Sequence, residues 1–215
     1  GRVVKTSSVS IDPVTDKRFE LVRQLGEGAS GAVFLALDRE TGDQVALKKL
    51  FKLDQKSVLR FKREFRSLAD IHHPNLVKLY DLHRGQEAWF ITMEYVNGKD
   101  FRQQFGSEAS PVRDNALASN DAAIVSLLPV FYDLACGVNA IHRAGMLHRD
   151  LKPSNALVSD KGRVVVLDFG LVREIAGENL LTQDGTVSGT PAYMPPEQAM
   201  GEKLSEASDW YAFGV

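Results

Sequence analysis

The first part of the chain alternates apolar and polar residues in short runs that are typical of β-strands. One longer segment departs from this alternation. Between residues 55 and 70, apolar side chains recur at the spacing of an amphipathic helix, which ends near Pro74 because proline cannot continue a helix. The pattern therefore predicts a β-rich part that contains one helix. The predicted strands cover residues 19–22, 32–36, 44–48, 76–80 and 88–93.

The second part of the chain contains a predicted helix, a loop and a short strand. Leu134, Val138 and Ile141 share one face of a predicted helix, and Pro129 falls within its expected first turns. That helix either begins near the proline or bends there. Residues 106–121 are polar and small and predict a surface loop, whereas the apolar run 164–167 predicts a buried strand that ends in a turn.

Composition and charge exclude several classes of protein. The 215 residues, 44% of them hydrophobic and 25% charged, are those of an ordinary globular protein with room for one large domain or two lobes. The net charge of -2 gives no support for nucleic-acid binding. No apolar run approaches the roughly 20 residues of a membrane span. The single cysteine, Cys136, rules out an internal disulfide, and we expect a cytoplasmic protein.

Two motifs in the last third of the chain point to phosphoryl transfer. The sequence HRDLKPSN occupies residues 148–155, and DFG follows at residues 168–170. Phosphoryl transfer needs a carboxylate that orients a hydroxyl, a cation near the moving phosphoryl group and hard oxygen ligands for Mg²⁺. Asp150, Lys152 and the pair Asn155 and Asp168 supply these groups. DFG alone would be weak support, but the two motifs in this order are strong.

Two earlier segments fit the same chemistry. Residues 26–33 read GEGASGAV, and closely spaced glycines let backbone amides approach a phosphate. A predicted strand follows this loop, where a dinucleotide-binding fold would begin a helix. Lys48 ends the strand VALK, and Glu64 lies between two apolar residues of the predicted helix, on the side that faces the protein. A buried carboxylate needs a partner.

These motifs, in this order, resemble those of the protein kinases. The version Lys-Pro-Ser-Asn is similar to that of serine/threonine kinases, and residues 189–198 and 208–214 resemble the bacterial Hanks-type, eukaryotic-like members. The resemblance covers residues 19–215 and implies an α+β, bilobal protein-kinase-like fold. It has a five-stranded antiparallel N-lobe sheet with the αC helix and a mostly helical C-lobe. It also implies a chain that ends after the start of helix αF, so that this C-lobe is incomplete and folds poorly alone.

The resemblance further implies how the chain is divided. Residues 1–18 would form an N-terminal arm, residues 19–93 the N-lobe and residues 94–98 the hinge. Residues 99–215 would form part of the C-lobe. Further domains in the parent protein are a possibility that some similar kinases suggest.

The resemblance also implies the roles of individual residues. Asp150 and Lys152 would be catalytic, Lys48 would pair with Glu64, and Asn155 and Asp168 would bind Mg²⁺ or Mn²⁺. The side chain of Asp209, at the start of αF, would bond the backbone of the catalytic loop. Thr182, Thr186 and Ser188 are candidate phosphorylation sites, with Thr186 preferred. The residues implied to contact ATP are Leu25, Gly26, Gly28, Gly31, Val33, Ala46, Lys48, Met93, Glu94, Val96 and Leu157.

The function implied is transfer of the γ-phosphoryl group of Mg-ATP to serine and threonine hydroxyls of protein substrates, with autophosphorylation of the activation loop. One alternative is a nucleotide-binding pseudokinase or scaffold that regulates a partner domain. The presence of Lys48, Asp150, Asn155 and Asp168 argues against it, because a scaffold has no need of all four. A small-molecule phosphotransferase is a second alternative, against which the protein-substrate segment 189–197 argues.

Overall fold

The computed structural model describes residues 17–28, 31–50, 55–86, 88–105, 117–168 and 191–215. The chain divides into two compact units. The first contains residues 1–55 and 79–95, and the second contains residues 56–78 and 96–215. Among the described residues, no helix has both the length and the apolar character needed to cross a membrane.

The first unit is built on a five-stranded antiparallel sheet, as the sequence predicts. The strands lie in the spatial order β1-β2-β3-β5-β4, so the last two exchange places. The predicted strand at residues 76–80 is wrong at its start, because β4 begins only at Leu79. The strands are β1 (Phe19–Gly28), β2 (Gly31–Asp38), β3 (Gln44–Leu50), β4 (Leu79–Arg84) and β5 (Trp89–Glu94).

One face of this sheet forms the core of the first unit. Phe19, Ala36, Val45, Leu47 and Phe90 are buried together there, and partly buried side chains pack against them. Because successive side chains of a strand point to opposite faces, the residues between these positions are directed to the other face.

Gly31 opens β2 at a position that only glycine can occupy. Its φ is 146°, and a Cβ atom added there would lie 2.0 Å from the carbonyl oxygen of Lys49 on the neighbouring strand. A side chain at this position would therefore displace backbone, and the close pairing of β2 with β3 depends on its absence.

In its described part, the second unit combines five helices with a small sheet. Its strands β6 (Gly98–Asp100), β7 (Ala156–Ser159) and β8 (Val164–Val166) are antiparallel neighbours in that order. All three residues of β8 are fully buried, which confirms the predicted buried strand. The helices are α1 (Gln55–Ala69), α2 (Phe101–Phe105), α3 (Leu117–Arg143), α4 (Pro196–Ala199) and α5 (Glu206–Gly214), with short 3₁₀ turns at Pro153–Asn155 and Pro191–Tyr193.

Helix α3 corrects two sequence predictions. It begins at Leu117, so residues 117–121 are helical and only the earlier part of the predicted loop lies outside the described residues. The helix also runs through Pro129, and it therefore does not begin near that proline. Pro129 is exposed, where the carbonyl that its ring leaves without a helical partner can bond water.

Helix α3 and residues 75–77 hold β8 in place. Leu76 bridges Val166 in parallel, and Asn75 donates its side-chain amide to the Val164 carbonyl at 2.9 Å. Gly137 of α3 lies against the same place, where an added Cβ would be 2.7 Å from the Asn75 carbonyl oxygen. The strand that leads to Asp168 is thus fixed from two sides.

Candidate phosphoryl-transfer site

The sheet of the first unit brings five of the sequence-predicted nucleotide residues to one face. Antiparallel partners point to the same side, and residues two apart on a strand do so as well. Lys48 is paired with Val33 on β2, and Val33 is in turn paired with Gly26 on β1. Ala46 lies two residues before Lys48 and is paired with Met93 on β5. This face is opposite to the one that carries the apolar core.

Lys48 is buried, with only 5% of its surface exposed. A lysine in this position is unusual, because lysines in folded proteins are rarely fully buried without an interacting group. Its burial on the face that carries Val33 and Ala46 separates it from ordinary surface lysines.

The other predicted nucleotide residues lie at several places in their units. Leu25 is 37% exposed and sits at an irregularity in the pairing of β1 with β2. Gly28 pairs with Gly31 at the end of the same two strands. Glu94 is half-buried at the end of β5. In the second unit, Val96 is half-buried, and half-buried Leu157 lies on β7 between Asp100 and Val165.

Glu64 lies on α1 of the second unit, among the buried side chains Phe61, Phe65 and Leu68. Its side chain is 16% exposed and accepts a hydrogen bond from Arg60 Nε at 3.2 Å, one helical turn earlier. The prediction that it faces the protein agrees with this low exposure, and its pairing with Lys48 stays a prediction.

The loop after α3 brings together an acid, a cation and an amide. Asp150 Oδ2 lies 3.0 Å from Lys152 Nζ and accepts a hydrogen bond from Asn155 Nδ2 at 3.2 Å. The same Asn155 amide donates to the Asp150 carbonyl oxygen at 2.7 Å. Both hydrogens of the Asn155 NH₂ group are therefore directed to Asp150, which leaves the Asn155 side-chain oxygen as an acceptor.

Asp168 follows β8 and is linked to this loop through the backbone. The Leu167 amide donates to the Asn155 carbonyl oxygen at 2.8 Å. Asp168 itself has a φ of 52°, in the left-handed region that few residues other than glycine adopt. Phe169 and Gly170, the rest of the motif, lie outside the described residues, as do Thr182, Thr186 and Ser188.

His148, the first residue of the loop 148–155, is fully buried and contacts the segment that follows β8. Its Nε2 lies 2.9 Å from the Leu167 carbonyl oxygen, and the Asp150 amide donates to its Nδ1 at 3.3 Å. A carbonyl can only accept, so Nε2 carries the hydrogen and Nδ1 keeps its lone pair. The neutral imidazole therefore connects Asp150 to Leu167, and a second proton on Nδ1 would break the bond from the Asp150 amide.

The predicted contact between Asp209, near the start of α5, and the backbone of the loop is confirmed. Its carboxylate accepts hydrogen bonds from the His148 amide at 2.7 Å and from the Arg149 amide at 2.8 Å. His142 Nε2 lies 2.8 Å from the same carboxylate, which is 2% exposed. Arg149 has a φ of 64°, which costs an L-residue roughly 1–2 kcal/mol. The hydrogen bonds that Asp209 accepts offset the strain at Arg149, the residue before Asp150.

Acid should destabilise the protein through His148. Burial lowers the pKa of this imidazole, although the Asp209 charge acts in the opposite direction. Below about pH 6.5 the unfolded chain therefore binds a proton that the folded chain does not. This stabilising contribution is fully present above pH 6.5. As the pH falls from there, the free energy of unfolding should decrease by up to about 1.4 kcal/mol per pH unit.

Urea unfolding between pH 7.5 and 5.5 measures this slope. Burial also lowers the pKa of His83 and gives a slope of the same sign, so the comparison is made with His148→Phe. The substitution should remove the contribution of His148 to the slope of unfolding free energy against pH and leave that of His83. An equal slope in both proteins would contradict the assignment.

Sequence reasoning missed three polar residues that support the loop. The sequence pattern does not single out His142, whose ring is buried against Asp209. Gln198 of α4 donates to the Arg149 carbonyl oxygen at 3.4 Å, and Ser208 of α5 donates to Glu197. This hydrogen bond lowers the pKa of the Glu197 carboxyl. Gln198 and Ser208 lie in segments that resemble those of kinases, but no periodicity indicates these contacts, because they depend on elements that are distant in sequence.

The donor atoms near Asp150 suit one kind of metal ion. Among the described residues, no group of three or more His, Cys, Asp or Glu side chains is placed to hold a metal. Asn155 and Asp168 offer amide and carboxylate oxygens, which are the hard ligands that Mg²⁺ and Mn²⁺ accept when a substrate or water supplies the remaining positions. These two residues fit such an ion.

A family model for the protein kinase domain matches residues 19–215. The chain belongs to the protein kinase family. Its bilobal α+β fold is confirmed by the solved kinase domain of PknI from Mycobacterium tuberculosis. That structure has a TM-score of 0.68 and 24% sequence identity, and the match covers 99% of this chain and 75% of that one.

Bacterial serine/threonine kinases are among the similar sequences. The probable serine/threonine-protein kinase PknB of Lactococcus lactis is 34% identical over 211 residues, which cover 96% of this chain and 32% of that protein. The serine/threonine-protein kinase PknD of Chlamydia trachomatis is 34% identical over 223 residues, covering 93% and 24%. The chain thus spans between about a quarter and a third of these relatives.

These matches confirm the predicted type of kinase. The domain is a bacterial Hanks-type serine/threonine protein kinase domain, and the pseudokinase alternative is not favoured. The match to a protein kinase model also disfavours the small-molecule phosphotransferase. Kinases of this family use ATP and a divalent metal ion and act on proteins.

Proposed function

We propose that this domain transfers the γ-phosphoryl group of Mg-ATP to serine and threonine hydroxyls of proteins, with Asp150 at the centre of the reaction. The observation that carries the proposal is that Lys152 Nζ and Asn155 Nδ2 both lie within 3.2 Å of the Asp150 carboxylate. Asp150 accepts or orients the proton of the acceptor hydroxyl, and Lys152 stabilises charge on the phosphoryl group. Phosphoryl transfer requires a carboxylate near the acceptor hydroxyl and a cation near the phosphoryl group, and Asp150 and Lys152 supply these two groups.

The metal ion in this proposal is Mg²⁺, held by Asn155 and Asp168. It supplies charge neutralisation on the phosphates. Asn155 commits its NH₂ group to Asp150, so its side-chain oxygen is the atom that can bind the ion. The left-handed backbone of Asp168 sets the direction in which its side chain leaves the main chain.

The nucleotide lies, in this proposal, along the face of the first sheet that carries Val33, Ala46 and Lys48. The apolar Val33 and Ala46 side chains suit the adenine ring, with Met93 and Leu157 also contributing. Glycines 26, 28 and 31 leave backbone amides accessible to phosphate oxygens. Backbone groups of Glu94 and Val96 bond the adenine edge, and Leu25 covers it. Lys48, oriented by Glu64, binds the phosphates.

The substrates are proteins, and the domain also phosphorylates its own activation segment, with Thr186 as the preferred site over Thr182 and Ser188. We place the protein in the cytoplasm, because ATP is available there. The single cysteine, Cys136, cannot form an internal disulfide, so the chain does not need an oxidising compartment. The part of each relative that matches this chain is a third of its length or less. This supports further domains in the whole protein.

Replacing Asp168 with Asn should separate metal binding from folding. The change removes a charged oxygen ligand, so affinity for Mg²⁺ in the presence of ATP should fall at least tenfold. Titration calorimetry of ATP into the full-length protein, with Mg²⁺, with Mn²⁺ and with a chelator, measures this without relying on turnover. Asp70→Asn, an exposed position at the end of α1, is the control. Equal metal dependence in the two variants would contradict the assignment.

A further inference from the structure

The peptide group that joins Arg149 to Asp150 is held at both of its ends. Its N–H, on Asp150, donates to His148 Nδ1 at 3.3 Å, and its carbonyl oxygen, on Arg149, accepts from Gln198 Nε2 at 3.4 Å. The preceding N–H, on Arg149, donates to Asp209 at 2.8 Å. The first two bonds are longer than the usual 2.7–3.2 Å, so each is weak alone and the orientation of the peptide depends on both.

The orientation of this peptide sets the direction of the Asp150 side chain. Arg149 is in the left-handed region, with a φ of 64°, and rotation of the following peptide group would change the backbone angles next to Asp150. Such a rotation would carry the carboxylate away from Lys152 and Asn155. A donor on the carbonyl side opposes the rotation directly.

Gln198 is well placed to supply that donor because its own position is fixed. It is 6% exposed, its backbone N–H donates to the Pro195 carbonyl oxygen at 3.0 Å, and it belongs to α4. The neighbouring Glu197 is bonded to Ser208 at the start of α5, which anchors α4 from the other side. A buried side-chain amide without a partner would be unfavourable, and the Arg149 carbonyl provides one.

Helix α4 directly follows the residues that face the catalytic loop. Tyr193, Met194 and Pro195 line a small pocket together with Asp150 and Lys152. Gln198 therefore connects this stretch of chain to the backbone of the catalytic carboxylate.

We propose that Gln198 is a positioning residue for phosphoryl transfer, which holds the Arg149–Asp150 peptide so that the Asp150 carboxylate stays directed at the acceptor hydroxyl. This inference rests on the proposed function of Asp150. It concerns the chemical step and leaves ATP binding to other residues.

Two substitutions in the full-length protein test it. Gln198→Met keeps the length of the side chain without a donor, and Gln198→Glu replaces the donor by an oxygen that repels the carbonyl. We expect kcat to fall about three- to tenfold in the first and further in the second, as the loss of one hydrogen bond predicts. KM for ATP should stay unchanged. Gln103→Glu, an exposed glutamine on α2, is the matched control.

Hydrogen–deuterium exchange supplies a readout that does not depend on turnover. The Asp150 amide should exchange faster in Gln198→Met, because the peptide is released on its carbonyl side, while the amides of α4 and the melting temperature stay near those of the unaltered protein. Should Gln198→Glu fail to fold, Gln198→Met decides the question, since it buries no charge.

Three results would overturn the inference in distinguishable ways. An unchanged kcat in Gln198→Met overturns it alone and leaves the proposed function standing. A joint change in kcat, KM, melting temperature and α4 exchange would assign Gln198 to general stability instead. Absence of phosphate transfer by the unaltered protein would overturn the proposed function and this inference with it.

Discussion

Replacing Asp150 with Asn should lower kcat for phosphate transfer at least a hundredfold and leave the domain folded. The carboxylate orients the acceptor hydroxyl, and general base catalysis of this kind contributes about 10²- to 10⁴-fold. Asparagine keeps the shape of the side chain and one oxygen that can accept from Asn155. It removes the charge that pairs with Lys152 at 3.0 Å. Steady-state kinetics with a generic protein substrate measures the effect.

The distribution of the effect between kcat and KM is as informative as its size. Asp150 lies in the second unit and is proposed to act on the acceptor, so KM for ATP should change little. Asp70→Asn provides the same chemical change at an exposed position and should behave as the unaltered protein. A fall in ATP affinity with kcat preserved would assign Asp150 to nucleotide binding.

Replacing Asp209 with Ala should reduce both stability and activity. The substitution leaves the amides of His148 and Arg149, together with the His142 ring N–H, without their shared acceptor. Each buried donor that loses its partner costs about 1–3 kcal/mol, so the free energy of unfolding should fall by about 3 kcal/mol or more. The strained Arg149 is then free to relax, and kcat should fall as well.

Two measurements on the same variant separate these effects. Urea unfolding gives the stability change, and kinetics at a temperature where the variant remains folded gives the catalytic one. Glu202→Ala, at an exposed position between α4 and α5, is the control and should alter neither quantity appreciably. An Asp209→Ala protein with full stability would show that the loop does not depend on this carboxylate.

Much of the first unit could be predicted because its residues obey a simple period. Alternation of apolar and polar positions indicated the strands, and the buried faces follow from it. Lys48 was predicted as the partner of Glu64, but its burial was not itself predicted. The start of β4 was mispredicted because Leu76, although apolar, is used to bridge Val166 of β8 and not to extend the sheet.

The support of the catalytic loop could be predicted only in part. The resemblance to kinases suggested that Asp209 bonds the loop backbone, but periodicity carries no information about contacts between distant residues. The left-handed backbone of Arg149 is an example, since an arginine adopts it only where the surrounding structure imposes it. Gln198, His142 and Ser208 act through such distant contacts, which local periodicity does not indicate.

The early part of α3 shows a different limit. The small and polar residues near the start of this helix have weak helical preferences, so a loop was predicted as far as residue 121. The helix nevertheless begins at Leu117, because packing of later turns such as Leu134 and Val138 stabilises the whole element.

The central claim is that Asp150 promotes transfer of phosphate from Mg-ATP to serine or threonine. The most direct measurement incubates the full-length protein with radiolabelled Mg-ATP, beside its Asp150→Asn variant, and identifies the labelled amino acid. The account predicts phosphoserine or phosphothreonine in the unaltered protein and almost none in the variant. Retained ATP binding without any labelled protein, or equal labelling of the two proteins, would contradict it.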